Sequence, residues 1–345
     1  VRGIHIVPSS FVKGTLYTMY RKGDDEVVAA LDAETGKTRW EYSYAAPPLK
    51  GQTLGYGNGP NSTPLLAGKQ LVTVGFPAKM HGLDADTGKV LWSHDLIKEF
   101  GAKSQEYGYS ASPMSYKDGI LVAVGGSQIG VACMNPATGA VIWKSDPFDI
   151  GYASPMVVAV DGEDQCILMG PREVVAVRAD NGQLRWRFPH ENQVKINCFT
   201  PLWGPGNRLL VSSQGDGGSR MFKLSRDGEK TKPEEQWFTQ KTRFFHSTAV
   251  WIGDYIYGST GDQPPTFIAA VDVKTGEMKW KERGFSGANC LSVDGKLILL
   301  DEDGQLALAT ATPAGFTVHS KVQLLQNTAW TTPTLVGTRL YIRDR

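Results

Sequence analysis

Ala30-Leu-Asp32-Ala-Glu-Thr35-Gly36-Lys-Thr-Arg-Trp40 reads as the end of one strand, a tight turn and the start of a second strand, and it recurs along the chain. It returns as Gly82-Leu-Asp84-Ala-Asp-Thr87-Gly88 ending at Trp92, and as Cys133-Met-Asn135-Pro-Ala-Thr138-Gly139 ending at Trp143. Further copies are Ala176-Val-Arg178-Ala-Asp-Asn181-Gly182 to Trp186, and Ala270-Val-Asp272-Val-Lys-Thr275-Gly276 to Trp280. A stretched copy, Ser225-Arg-Asp227-Gly228, reaches Trp237. The steps between these tryptophans are 52, 51, 43, 51 and 43 residues. A repeat of roughly 20–50 residues implies a stacked or radial architecture, because one such unit cannot bury its own apolar face.

Each residue type in the phrase has a physical role. Glycine takes the left-handed backbone that the turn needs without steric cost. Asp or Asn accepts backbone N–H groups two residues on, and Thr does the same more weakly. Trp offers a large flat apolar face suited to packing between sheets. On this reading Asp32, Gly36, Trp40, Asp84, Gly88, Trp92, Gly139, Trp143, Gly182, Trp186, Trp237, Asp272, Gly276 and Trp280 are structural docking residues.

Upstream of each phrase lies a second strand pair. Ser62-Thr-Pro64 and Ser112-Pro113 open two examples, and Ser154-Pro155, Thr200-Pro201, Ser247-Thr-Ala249 and Thr332-Pro333 open others. Proline is tolerated at a strand start, where the first N–H need not join the ladder. One repeat is therefore four antiparallel strands, which is a β-propeller blade. Residues 1–345 read as one all-β domain with blades at roughly 4–45, 60–97, 110–148, 152–190, 198–240, 246–284 and 288–325, and a partial eighth at 329–345. The alternative is seven blades plus a C-terminal extension. Asp95 to Lys103 is expected to form no more than a short turn of helix.

Composition narrows the partners. The formal charge is +1 with no basic run, which argues against nucleic acid. No stretch of 18 apolar residues offers a membrane span. The four cysteines, Cys133, Cys166, Cys198 and Cys290, form no C-x-x-C and no vicinal pair. That spacing excludes a sequence-evident zinc site and covalent haem attachment. Cys133 and Cys166 read as small buried hydrophobes, whereas Cys198 and Cys290 start inner strands near the central channel.

The pattern Ala-x-Asp-x-x-Thr-Gly-x-x-x-Trp, complete at Ala30–Trp40 and Ala270–Trp280, resembles the tryptophan-docking motif of the quinoprotein alcohol dehydrogenase-like propellers. With the Ser/Thr-Pro openings the resemblance spans essentially the whole chain, and it is closest to the PQQ-binding-like repeat proteins. Catalytic members of that superfamily hold pyrroloquinoline quinone at the ring centre with Ca²⁺, a catalytic Asp and commonly a vicinal disulfide. A hard divalent ion needs several converging oxygens, normally including carboxylates. The loops that precede the inner strands here carry only Glu106 and Asp149 as acids. No cofactor and no metal site are therefore expected, with PQQ and Ca²⁺ as the alternative.

Those loops are still where function is expected, because propellers build sites from loops on a rigid scaffold. Their inventory is Tyr56, Asn58, Tyr109, Tyr152, Asn197, Arg243, His246, Asn289 and Trp330. Aromatic faces with amides, one His and one Arg suit a small polar or planar ligand or a peptide. His246 is the one side chain of the set able to act as a general base. The first reading is a monomeric, non-catalytic scaffold outside the cytoplasm, periplasmic or secreted, which binds a protein partner or a small polar ligand at the channel face. This resembles the outer-membrane assembly protein that shares the fold. The alternatives are a quinone-dependent alcohol or sugar dehydrogenase with a divergent site, and a carbohydrate or small-molecule enzyme. Arg226 to Gln236 reads as a solvated loop, and Lys98 to Glu106 as a lengthened exit leading to the channel face.

Overall fold

The computed structural model describes residues 10–55, 57 and 59–344. Tyr56 and Asn58 lie outside the described residues, as does the part of the first blade before Ser10. Seven sheets have four strands and an eighth has two, each ordered as the chain runs. Blade 1 shows the pattern with strands Ser10–Val12, Thr15–Lys22, Asp25–Asp32 and Thr38–Ala45, all antiparallel. Blade 8 consists of Thr334–Val336 and Arg339–Tyr341. The architecture is an eight-bladed β-propeller, with two strands of its last blade among the described residues. The one α-helix among the described residues, Leu96–Phe100, is capped by Asp95 and by Gly101 in the left-handed conformation. No described helix is long and apolar enough to cross a membrane.

The repeated phrase acts between blades. Trp40 donates its indole N–H to the Ala85 carbonyl of blade 2 at 2.9 Å, and a Cβ on Gly88 would lie 2.5 Å from the ring. Trp92 does the same to Pro136 at 2.9 Å over Gly139, and Trp237 to Val273 at 2.8 Å over Gly276. The ring of Trp143 covers Gly182. Only glycine fits beneath the indole, for two reasons: the backbone is left-handed and the space is already filled. Asp32, Asp84 and Asp272 each accept the backbone N–H three residues on at 2.9 Å, which closes the turn. The Arg39 guanidinium, followed by Thr35, holds the Asp32 carboxyl well below the usual carboxylate range.

Two features go beyond what the repeated phrase shows. Every full blade carries a register shift beside its tryptophan position, as between Ala30 and Leu31 or Ala270 and Val271. Such a bulge bends the outer strand locally and re-aims its side chains. The second is in blade 5, where residues 226–236 are largely solvated, as expected, but form strands and a tight turn rather than a loop. They extend a hairpin, Ser219–Asp227 and Lys230–Thr239, which folds back on blade 4. Glu163 of blade 4 meets Arg185 at 2.7 Å and Arg226 of the hairpin at 3.3 Å. Trp186 consequently donates to Gln165 at 3.2 Å rather than to a turn carbonyl of the next blade.

The inner strands are linked around the hub by the small polar residues that open them. The Thr63 N–H donates to Ser112 Oγ at 2.8 Å, and the Ser112 N–H to Ser154 Oγ at 2.9 Å. The Thr248 N–H donates to Asn289 Oδ1 at 2.9 Å. These bonds satisfy strand-end donors that would otherwise be orphaned beside the channel.

Candidate functional site: the channel-face rim

The seven rim candidates among the described residues divide by burial. Tyr109 is buried and donates to the Ala123 carbonyl. Asn197 is fully buried, donating to the Gly170 carbonyl at 2.6 Å and accepting from Ser213 at 2.6 Å. Asn289 is buried between Thr248 and the Trp330 carbonyl. These three side chains satisfy loop and strand-end backbone groups and present nothing to a ligand. Arg243 is tied to Asp262 at 3.5 Å, and Asp262 also accepts the Gly215 N–H.

Tyr152, His246 and Trp330 remain toward the hub. His246 is exposed at the rim, its ring lies against Phe245 at 4.0 Å, and the surrounding protein lowers its pKa by desolvation. Its ring lies edge-on to Trp330 at 5.5 Å, and Trp330 donates to Glu302 at 2.9 Å. No hydrogen bond to a carboxylate orients His246 among the described residues. Burial also pushes the Cys198 and Cys290 thiols up to about 12, which keeps them as thiols.

Two shallow concavities lie at the rim between blades 3 and 4. A hollow of about 210 Å³ is lined by Lys103, Gln105, Glu106, Asp149, Tyr152 and Lys195 among others. A second, of about 320 Å³, shares Asp149 and Pro171 and adds Phe148, Arg172, Glu173 and Arg187. Gln105 builds the floor by donating to the Ile150 and Gly151 carbonyls at 3.1 and 2.8 Å. Opposite charges alternate on the walls: Lys103 meets Asp149 at 2.6 Å and Arg187 meets Glu173 at 3.3 Å. Tyr107 and Tyr152 pack edge-on at 5.7 Å.

One lip of the hollow is a turn pinned by Asn192. Its buried Oδ1 accepts the Val194 and Ile196 N–H groups at 3.1 and 3.2 Å. Val194 is thereby held 57 % exposed, next to Lys195 in the left-handed conformation. Sequence reasoning reached part of this site through the lengthened exit that ends at Glu106. It missed Asn192 and Val194, which carry no repeat signature; the one cue was an apolar residue inside a polar loop.

The donor set does not suit a quinone held by Ca²⁺. Asp149 is paired with Lys103 at the rim. Among the described residues no three His, Cys, Asp or Glu side chains converge as metal ligands. The four cysteines are free and sit in separate blades, so no vicinal disulfide can stack on a cofactor.

Blades of four strands set radially and wedged by a recurrent indole define the PQQ-like repeat propellers. The pattern of the family described as "Outer membrane protein assembly factor BamB" matches residues 10–133 and 127–243, and the chain belongs to this family. It is 24 % identical over 280 residues to the outer membrane protein assembly factor BamB of Yersinia pestis, covering 76 % of this chain and 66 % of that protein. It is also 32 % identical over 139 residues to the quinoprotein alcohol dehydrogenase PedH of Pseudomonas putida. That match covers 36 % of this chain, and the chain spans only 20 % of the dehydrogenase. In structure, BamB from Moraxella catarrhalis superposes with a TM-score of 0.66 at 16 % identity, over 98 % of this chain and 93 % of that one. The quinohemoprotein alcohol dehydrogenase of Comamonas testosteroni gives 0.67 at 14 % identity, over 99 % and 70 %. The structural likenesses establish the fold.

Proposed function

We propose that this chain is a non-catalytic scaffold that works outside the cytoplasm and binds a protein partner through the rim between blades 3 and 4. The observation that carries this reading is the make-up of that rim. An exposed apolar knob at Val194, fixed by a buried Asn192, stands beside two shallow hollows walled by ion pairs. Specific protein interfaces combine apolar anchors with a charged rim that fixes register. A shallow surface lined by already paired charges suits a protein segment better than a small substrate, which needs deep enclosure. Extended coverage of an assembly factor of the outer membrane supports the compartment and the kind of partner.

The reading is tested in cells by placing a photo-cross-linking amino acid at Val194 and, as a control, at Ile252 on the inner strand of blade 6. Val194 should give one discrete protein adduct of extracytoplasmic origin, and a charge-reversing Lys103→Glu change should reduce it at least threefold. Adducts of equal pattern from both positions, or none from Val194, would overturn the proposal.

A further inference from the structure

The loop that carries Val194 rests on a buried polar layer between blades 4 and 5. Blade 4 ends in the strand Leu184–Pro189, and His190 opens the connection to Leu202–Gly204, the inner strand of blade 5. Asn192, Asn197, Ser212, Ser213 and Ser219 in this layer are each at most 1 % exposed. All five are hydrogen-bonded. Asn192 donates to the Ile196 carbonyl at 2.8 Å, and Ser213 donates to Asn197 Oδ1 at 2.6 Å. Ser212 Oγ lies 2.8 Å from Ser219 Oγ and accepts the Phe244 N–H at 2.8 Å. The layer is close-packed, since a Cβ on Gly217 would lie 2.8 Å from Ser213 and 3.2 Å from Asn192.

His190 sits beside this layer without joining it. It is 1 % exposed, and neither ring nitrogen has a hydrogen-bond partner among the described residues. Its backbone N–H donates to the Arg172 carbonyl at 2.8 Å, which holds the ring at the root of the loop. The charged groups around the loop are turned to other partners. Arg220 of blade 5 is paired with Glu235 and lies over the Phe238 ring at 3.9 Å. Arg172 of blade 4 meets Glu191 at 3.5 Å, and Asp216 of blade 5 accepts the Gln193 N–H at 2.9 Å. An imidazolium here would be a buried charge without a counter-charge, a costly arrangement. Burial, then the Arg220 charge, lowers the His190 pKa to about 4, with the Ser212 backbone acting in the opposite sense.

The loop itself is held closed by polar contacts. Asn192 Oδ1 accepts the Val194 and Ile196 N–H groups, and the Asn197 carbonyl accepts the Tyr152 N–H at 2.8 Å. Val194 is exposed and Lys195 is in the left-handed region, with φ of 57°. A segment that buries little apolar surface and carries backbone strain opens at lower cost than the strands beside it. In the open loop the His190 ring reaches water and regains the ordinary histidine pKa of about 6.5. The proton therefore binds the open form first, and opening is increasingly favoured as pH falls from about 6.5 toward 4.

We propose that residues 190–197 form an acid-released latch on the rim between blades 3 and 4. Protonation of His190 opens the loop and withdraws Val194 and Lys195 from the partner surface. The consequence for binding rests on the reading of that rim as a protein-binding surface, whereas the opening is a property of the chain alone. His190 is a positioning residue: it acts through Asn192, two residues on, which fixes Val194.

Hydrogen exchange of the full chain, read by mass spectrometry on the peptide spanning residues 190–198 and corrected for the intrinsic effect of pH, tests the latch. Protection of this peptide should fall roughly twentyfold from pH 7 to pH 5. It should exchange faster than the core strand Val131–Met134 at both pH values. His190→Gln should abolish the fall, and Arg220→Gln, which removes the opposing charge, should make it smaller. Protection indifferent to pH, an equal fall in His190→Gln, or exchange no faster than in the core strand would overturn the proposal. Photo-cross-linking from Val194 in cells held at each pH separates the two readings. An adduct that falls at pH 5 in the parent but not in His190→Gln supports both. An opening loop with no adduct at either pH overturns the partner reading and supports the latch alone, and an adduct that stays constant while the loop opens overturns the latch.

Discussion

Gly276 and Gly36 share a turn and a left-handed backbone, with φ of 73° and 69°, but not a neighbour. Alanine at Gly36 meets only backbone strain, costing about 1 kcal/mol. Alanine at Gly276 adds a methyl 2.6 Å from Trp237 and should cost a further ~1–3 kcal/mol from overpacking. Urea denaturation of the two variants measures the difference, and equal losses would refute the role given to the indole. A second prediction concerns His190, which is buried with neither ring nitrogen hydrogen-bonded. Burial, then the Arg220 charge, lowers its pKa to about 4. The unfolded chain therefore binds the proton first, and His190 loses stability for the fold as pH falls from the ordinary histidine value toward 4. Between pH 7 and pH 5 this amounts to about 2 kcal/mol, which His190→Gln should remove from the pH dependence of unfolding. Buried Glu26, its carboxyl raised chiefly by desolvation, acts in the opposite direction in both proteins and cancels in the comparison. At this scale the rim was half legible. Spacing located Tyr109, Asn197 and Asn289 at strand starts, but orientation depends on which backbone groups need partners, and that is a property of the closed ring.

The blade 5 hairpin is the element whose form sequence reading misjudged. A run of Lys and Glu suggests solvent, yet Arg226 and Thr231 lie on blade 4 through Glu163 and Gln165. The missed cue was long range: an acid 63 residues upstream, itself paired with Arg185. The Arg185 guanidinium holds the Glu163 carboxyl below its ordinary value. Removing one partner of a buried pair strands the other, and the Arg185 side chain is 2 % exposed. Glu163→Ala should therefore cost roughly 3 kcal/mol in equilibrium unfolding. A loss below about 1 kcal/mol would show that the hairpin rests on packing alone. The strand–turn–strand phrase itself was fully legible, because its chemistry is local. The bulge beside each tryptophan was not, since a register shift leaves no mark in an alternating pattern.

Across the whole molecule, the period between tryptophans specified a ring, and the surplus strand pair after blade 7 specified an eighth blade. The proposed reading places function in the loops of the ring. The hub carries His246, buried amides at Asn197 and Asn289, and thiols at Cys198 and Cys290 raised by burial. The central proposal is that this hub is not a quinone redox centre. Its most direct test is an absorbance titration of the full chain with pyrroloquinoline quinone in the presence of Ca²⁺, with alcohol-dependent dye reduction read on the same sample. The account predicts no saturable spectral change and no reduction above the protein-free control. Stoichiometric uptake of the quinone with turnover would contradict it.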